Sequence, residues 1–132
     1  MTDDLLQFLT ARLDEDEQAA RLGTAGQPLT RQQIETTGVI VAVDGRHSEE
    51  CATGNWAGIA EHIVRHDPAR VLAEVDAKRR IMAEHQWRRE PDWPSGRQCR
   101  QCATEHPCST LRLLVLSYAT HPNYRPAWAP GT

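Results

Sequence analysis

The segment CRQCATEHPC, residues 99–108, places three cysteines within ten positions and a histidine between the last two. Cys99 and Cys102 have the Cys-x-x-Cys spacing with which a tight turn presents two thiolates to one tetrahedral ion. Cys108 follows at the expected start of the last helix, where the positive end of the helix dipole favours a thiolate. The segment therefore predicts a metal site, and we expect the metal to be a structural zinc ion.

Three sulfurs leave one corner of the tetrahedron for another ligand, and the sequence offers four candidates. We rank His85 first, because it closes a long predicted helix near the edge of that helix's apolar stripe and so can face inward. His62, on the preceding helix, ranks second. His106 ranks third, because a single proline separates it from the third cysteine and leaves little room for two ligands on one ion. Cys51 is remote and isolated, and it ranks last.

Other interpretations of the cysteine cluster are weaker. A thioredoxin-like redox pair needs a strand before the first cysteine and a helix that starts at it, whereas Pro94-Ser95-Gly96 and charged residues precede this one. Inert buried thiols would be unusual in so polar a loop. A catalytic zinc is disfavoured because three thiolates make an electron-rich site that activates water poorly. We therefore predict no catalytic residues and no organic cofactor, and a structural Zn²⁺ held by Cys99, Cys102, Cys108 and His85.

The composition explains why a metal would matter to this chain. Its 132 residues suit one domain with a modest core, and they include a single Phe. A core this lean gains from a metal that cross-links the chain. The net charge of −3 argues against a broad surface for polyanions.

The same sequence indicates where the protein works. No apolar run approaches the roughly 20 residues that span a bilayer, so we expect no membrane association. The N-terminus is acidic and lacks the basic region of a signal peptide. We therefore expect a cytoplasmic protein, a location in which cysteines are normally reduced.

Apolar periodicity and capping residues predict one α+β domain over residues 1–132, mostly helical, with a short β-sheet or hairpin and a zinc-stapled loop. Asp67 and Pro68 are typical of a helix start, and residues 38–43 are β-branched and precede the turn dipeptide Asp44-Gly45. We expect the tail to fold back onto the core. The predicted segments are an N-terminal helix (2–22), a strand region (38–53), two helices (56–66 and 68–85), a Cys-rich loop (86–108), a helix (109–119) and a tail (120–132).

The remaining chemistry-bearing residues form no recognisable catalytic motif. The glycines are scattered, so no phosphate-binding loop is present, and no Ser/His/Asp order suggests a triad. His62 and His66 lie four residues apart but lack the His-Glu-x-x-His order of zinc proteases, and we interpret them as ordinary helix surface. We therefore do not expect an enzyme.

Three stretches carry a resemblance to a known family: DEDEQAAR (14–21), AEHIVRHDPARVLAEVDAKRRIMAEH (60–85) and PCSTLRLLVLSYATHPNYRPAW (107–128). They resemble small uncharacterised proteins of actinobacteria and their phages, a domain of unknown function. In that family a His-Ile-x-x-His-Asp-Pro-Ala segment leads a long helix, and a Cys-x-x-Cys loop and a Pro-Cys-x-Thr-Leu-Arg helix follow. The resemblance implies that the three cysteines act as a unit with His85, and it implies no activity. The chain departs from the family pattern at TAGQPL (24–29), which lacks the family's tryptophan.

The last predicted helix suggests a function. It is apolar on more than one side, since Leu113 and Leu116 lie off the face that the other apolar residues form. A helix of this kind is central to a core or is half-covered by a partner. We therefore predict a non-enzymatic adaptor or regulatory protein that binds a protein partner, or a second copy of itself, through this helix.

Two other function classes rank lower. A nucleic-acid-binding protein would use the arginines of the zinc loop, with Trp87 and Trp93 stacking on bases. The arginines concerned are Arg88, Arg89, Arg97 and Arg100. This alternative is not favoured, because tryptophans near a metal loop more often cover its inner side. A small enzyme ranks last.

Overall fold

The structure is a computed structural model that describes the backbone of residues 2–24, 29–34, 37–44, 47–54 and 57–131 and the side chains of residues 4–22 and 60–131. The elements, in chain order, are α1 (Thr2–Thr24), β1 (Leu29–Ile34), β2 (Thr37–Asp44), β3 (His47–Gly54), α2 (Ala57–Arg65), α3 (Pro68–Glu84), β4 (Trp87–Arg89), β5 (Arg97–Cys99) and α4 (Ser109–Leu116). This mostly helical α+β composition confirms the predicted class. Within the described residues, no helix has both the length and the apolar character that a bilayer crossing requires.

The chain divides into two compact units, to each of which α1 and α3 contribute a part. One unit comprises Met1–Asp14 with Asp76–Thr132, and it contains the β4–β5 hairpin and α4. The other comprises Glu15–Val75, and it contains the three-stranded sheet and α2.

The sheet of the Glu15–Val75 unit is antiparallel, with the strand order β1-β2-β3. The predicted strand at 38–43 lies within β2. The rest of the predicted strand region 38–53 contains most of β3, which pairs with β2 from Asp44 opposite His47 onward. Strand β1 was not predicted, because LTRQQI has little apolar character to mark it. The helix α2 lies against this sheet.

The chain passes from α2 to α3 through residues 66 and 67, and Asp67 caps the start of α3. The backbone N–H of Arg70 donates to the Asp67 carboxylate over 2.8 Å, which is the N-cap contact predicted for a helix that begins at Pro68. The Arg70 guanidinium also donates to the carbonyl of Arg65 over 3.1 Å, and this bond ties the start of α3 to the end of α2. The predicted cap is therefore confirmed.

The other unit is built on the apolar face of α1. Leu5, Leu9 and Leu13 are fully buried there, and Leu111 and Val115 of α4 are buried in the same unit. These five positions recur every three or four residues along their helices, as one buried face of a helix requires. The predicted apolar stripes are thus confirmed at these positions.

The C-terminal tail closes this unit. The buried ring of Trp128 lies 5.1 Å from the ring of Phe8, measured between centroids. Arg125 forms an ion pair with Asp4 over 2.8 Å. The expectation that the tail folds back onto the core is therefore confirmed.

A short antiparallel hairpin replaces much of what the sequence predicts as irregular loop between residues 86 and 108. Strand β4 pairs with β5, with Trp87 opposite Cys99 and Arg89 opposite Arg97. The turn between them is closed by Gly96, whose carbonyl accepts from the Glu90 N–H over 2.9 Å. Gly96 has a φ of 69°, which lies in the left-handed region that glycine adopts without a steric penalty.

We expect the substitution Gly96→Ala to destabilise the protein by about 1–2 kcal/mol, because a Cβ disfavours the left-handed conformation. An added Cβ would meet no other atom within 4 Å, so backbone strain alone sets the cost. Gly131→Ala is the matched control, since that glycine also has open space around it and no left-handed φ. Equal free energies of unfolding in denaturant for the two variants would contradict this account.

Candidate metal centre

The four residues predicted as ligands are the four that the structure brings together. His85 follows the last residue of α3, Cys99 ends β5, Cys102 lies in the turn after it, and Cys108 is the N-cap of α4. One ligand atom from each lies within 4.8 Å of those from the other three. These residues are therefore positioned to bind one metal ion.

The distances within the cluster match a tetrahedral ion better than they match hydrogen bonds. The Sγ atoms of Cys99, Cys102 and Cys108 each lie 3.4 Å from Nδ1 of His85. A tetrahedral zinc with Zn–S of about 2.3 Å and Zn–N of about 2.0–2.1 Å separates nitrogen from sulfur by about 3.6 Å. One ring nitrogen carries a single hydrogen or a single lone pair, so it cannot bond three equidistant sulfurs. One cation between the four atoms satisfies all of them.

The turn that presents the first two sulfurs is shaped by backbone hydrogen bonds. The Cys102 N–H points at Sγ of Cys99 over 3.5 Å, and the Ala103 N–H donates to the Cys99 carbonyl over 3.0 Å. Ala103 has a φ of 54°, which turns the chain back so that Thr104 accepts from the Cys99 N–H over 2.7 Å. The Cys-x-x-Cys spacing thus forms a closed turn with both thiols on one side.

The hairpin brings the end of α3 to this turn. The pairing of Trp87 with Cys99 places the residues just after His85 beside the end of β5. The Arg100 N–H donates to the Gln86 carbonyl over 2.9 Å and extends this contact by one step. The histidine is therefore placed by strand pairing, a contact between residues more than ten positions apart.

The third sulfur comes from the first residue before α4. Cys108 has an extended conformation with φ of −72° and ψ of 169°, and its carbonyl accepts from the Arg112 N–H over 3.1 Å as the first bond of the helix. Its thiol thus lies at the positive end of the helix dipole, where a thiolate is stabilised. The predicted position of Cys108 at the helix start is confirmed.

The cluster is shielded from water on most sides. Cys99 is fully buried, Cys108 and His85 expose 2% and 9% of their surface, and Cys102 is half-buried. Four protein ligands in a closed environment are typical of a structural metal site, whereas a catalytic site keeps one position for water or substrate. The arrangement therefore suits cross-linking the chain and leaves little access for chemistry.

Two of the thiols have shifted pKa values. Burial acts to raise the pKa of the Cys99 thiol, but hydrogen bonds from the Cys102 N–H and from His85 outweigh it and bring the pKa down to about 7. Burial raises the pKa of the Cys102 thiol to about 11, and the charge on the neighbouring Cys108 sulfur adds to this effect. In the absence of metal, Cys102 is therefore protonated at neutral pH.

Of the other candidates for the fourth ligand, the structure describes the side chains of His106 and His62. His106 is buried close by in sequence, but it is not among the clustered residues. His62 belongs to the Glu15–Val75 unit, where its ring contacts that of His66. Cys51 lies in β3, and its side chain is outside the described residues.

The sequence predicted the four clustered residues, but it did not predict the β4–β5 hairpin that positions them. Strands β4 and β5 read WRR and RQC, which carry no alternation of apolar and polar residues to mark a strand. The exposed arginines of β4 and the proline-rich turn after it resemble a loop. No local signal could have found this pairing.

Comparison with known proteins gives one match. The chain matches the family described as "Family of unknown function (DUF6221)" over residues 2–130. No curated protein and no solved structure matches it.

We expect metal binding to release protons, because each thiol must be deprotonated to become a ligand. At pH 7 the release should be at least about one proton per ion, since Cys102, with a pKa of about 11, is protonated in the metal-free protein. The affinity should therefore rise between pH 7 and pH 9. Calorimetric titration of metal-free protein with Zn²⁺ in two buffers of different ionisation enthalpy measures the release. Identical binding enthalpies in the two buffers would contradict the prediction.

Proposed function

The chain belongs to this family of unknown function, whose match covers nearly all of it, and we propose that it is a non-enzymatic protein with a structural zinc ion. The observation that carries the proposal is the equal 3.4 Å separation of three sulfurs from one imidazole nitrogen. Three thiolates and one imidazole are a soft ligand set that suits Zn²⁺ in tetrahedral geometry. Cys99, Cys102, Cys108 and His85 are the proposed ligands.

The role we propose for the zinc is to order the polar segment between α3 and α4. This segment contains three prolines and two strands of three residues each, which bury little apolar surface of their own. One ion bonded to residues at the start, middle and end of residues 85–108 closes the segment onto both helices. The binding free energy of such an ion contributes directly to folding.

We expect the purified, untagged protein to contain about one zinc ion per chain. The double variant Cys99→Ser/Cys102→Ser and the single variant His85→Gln should lose that ion, because each lacks at least one of the four ligands. Metal analysis by mass spectrometry measures the content. His62→Gln is the matched control, since it removes the other helical histidine that the sequence offered as a ligand, and it should retain full zinc. A folded wild-type protein without metal, or loss of zinc in His62→Gln, would contradict the ligand assignment.

We further propose that α4 is the surface through which the protein binds a protein partner, as an adaptor or regulator. Leu113 and Leu116 are 56% and 41% exposed. They lie three residues apart on the same helix and are therefore neighbours on its surface. The one charged residue of this helix, Arg112, is engaged within the chain, where it donates to the carbonyls of Pro107 and Ala127. The exposed residues of α4 are thus Ser109, Leu113 and Leu116, which are uncharged and mostly apolar, as is typical of a surface that a partner covers.

We expect the double variant Leu113→Ser/Leu116→Ser to abolish capture of the partner from a host lysate while leaving the melting temperature nearly unchanged, because both leucines are already exposed. Leu22→Ser is the matched control, since Leu22 is an exposed leucine on a different helix. It should bind as the wild type does. Pull-down followed by mass spectrometry, with light scattering to detect self-association, makes the comparison. The adaptor role would be refuted if the wild-type protein is strictly monomeric and the wild type and the double variant capture the same proteins.

The nucleic-acid alternative has weaker support. The hairpin places Arg88 and Arg89 on one strand beside Arg97 on the other, so the predicted basic residues do cluster. However, the Arg97 guanidinium lies over the Trp87 ring at 4.1 Å from its centroid, and this covers one face that a base would need. We therefore keep the protein-binding function as the proposal, together with the cytoplasmic location and the actinobacterial or phage origin that the sequence suggests.

A further inference from the structure

His62 and His66, at the end of α2, form a pair of side chains that is not part of the proposed zinc site. His66 donates its backbone N–H to the His62 carbonyl over 3.1 Å, so it continues the helical turn beyond the end of α2 and lies one turn above His62 on the same face. Their ring centroids are 4.5 Å apart with the planes tilted by 44°, and both side chains are exposed.

This spacing is the one that two imidazoles adopt on a single ion. Two rings bound at adjacent corners of a square-planar or octahedral ion, each with a metal–nitrogen bond of about 2.1 Å and a ring radius of about 1.1 Å, have centroids about 4.5 Å apart. The observed separation matches that distance without any main-chain movement. Histidines at i and i+4 of a helix offer two ligands from one face in the same way that helical metal motifs do.

The backbone under the pair is held in place. The carboxylate of Asp67 caps α3, and the Arg70 guanidinium bonds the Arg65 carbonyl, so the turn that carries His66 is fixed from both sides.

We propose that His62 and His66 form a second metal site, an open chelate for a divalent transition ion of the Ni²⁺ or Cu²⁺ class. Among the described residues, no third His, Cys, Asp or Glu lies close enough to complete a closed site there. Water fills the remaining positions, so the ion exchanges readily. The order of affinity among divalent ions should follow Cu²⁺ above Ni²⁺.

This site differs from the Cys99–Cys102–Cys108–His85 cluster in both chemistry and location. It has imidazole ligands only, it is exposed, and its two residues belong to the Glu15–Val75 unit. The inference does not rest on the proposed structural zinc. Either site can fail its test without affecting the other.

The test is a calorimetric titration of the untagged protein, as purified, with NiCl₂, a probe that does not oxidise thiols as Cu²⁺ does. The variants are His62→Gln, His66→Gln and the double variant, and Glu61→Gln is the matched control because it makes an equivalent amide substitution on the same helical turn. Zinc content measured after each titration shows that the probe has not displaced the structural ion. Far-UV circular dichroism shows that each variant remains folded.

We expect one Ni²⁺ per wild-type chain and at least about a tenfold loss of affinity in each single histidine variant, because removal of either ligand abolishes chelation. The double variant should bind at least as weakly as either single variant, because it keeps no imidazole at the site, and Glu61→Gln should bind as the wild type does. Wild-type affinity in either single histidine variant would overturn the proposal. So would a loss in Glu61→Gln equal to that in the histidine variants.

Discussion

One geometric constraint underlies the unit that contains α4: four potential ligand atoms, drawn from the end of a helix, a strand end, a turn and the start of another helix, lie within 4.8 Å of one another and could bind one metal ion. The three sulfurs are equidistant from Nδ1 of His85, and two of the four residues are almost fully buried. Without an ion, three thiols and one imidazole face one another in a largely buried environment, where one ring nitrogen cannot bond all three sulfurs. With an ion, the same arrangement is a closed coordination shell.

This constraint explains how a segment so poor in apolar residues takes a defined shape. The apolar core of its unit comes from α1, α4 and the tail, and the hairpin adds mainly arginines, prolines and a cysteine to it. Structural zinc ions contribute apparent binding free energies on the order of 10 kcal/mol, which is comparable to the whole net stability of a small domain. A single ion is thus sufficient to order residues that would otherwise form an irregular loop. An ion bound to Cys108 would also fix the start of α4, on which Leu113 and Leu116 are exposed.

Local signals in the sequence predicted much of this arrangement. Capping chemistry placed the start of α3 at Pro68, and apolar periodicity placed the buried faces of α1 and α4. The Cys-x-x-Cys spacing and the helix-start position of Cys108 predicted three of the four residues that the structure positions to bind a metal ion. What local signals could not supply were features decided by long-range pairing. The sequence ranked His85 first from its place on a helix, but it did not predict the hairpin of polar strands that brings this residue to the cysteines. Strand β1 is likewise a polar strand that pairs with β2. In both cases the partner strand, rather than the segment's own residues, determines the structure.

X-ray absorption spectroscopy at the zinc edge, on the untagged protein as purified, tests the central claim most directly. The account predicts a first shell of three sulfur atoms at about 2.3 Å and one nitrogen atom at about 2.0–2.1 Å, with the outer-ring scattering of a single imidazole. A shell dominated by oxygen and nitrogen, or one with two sulfurs and two imidazoles, would contradict it.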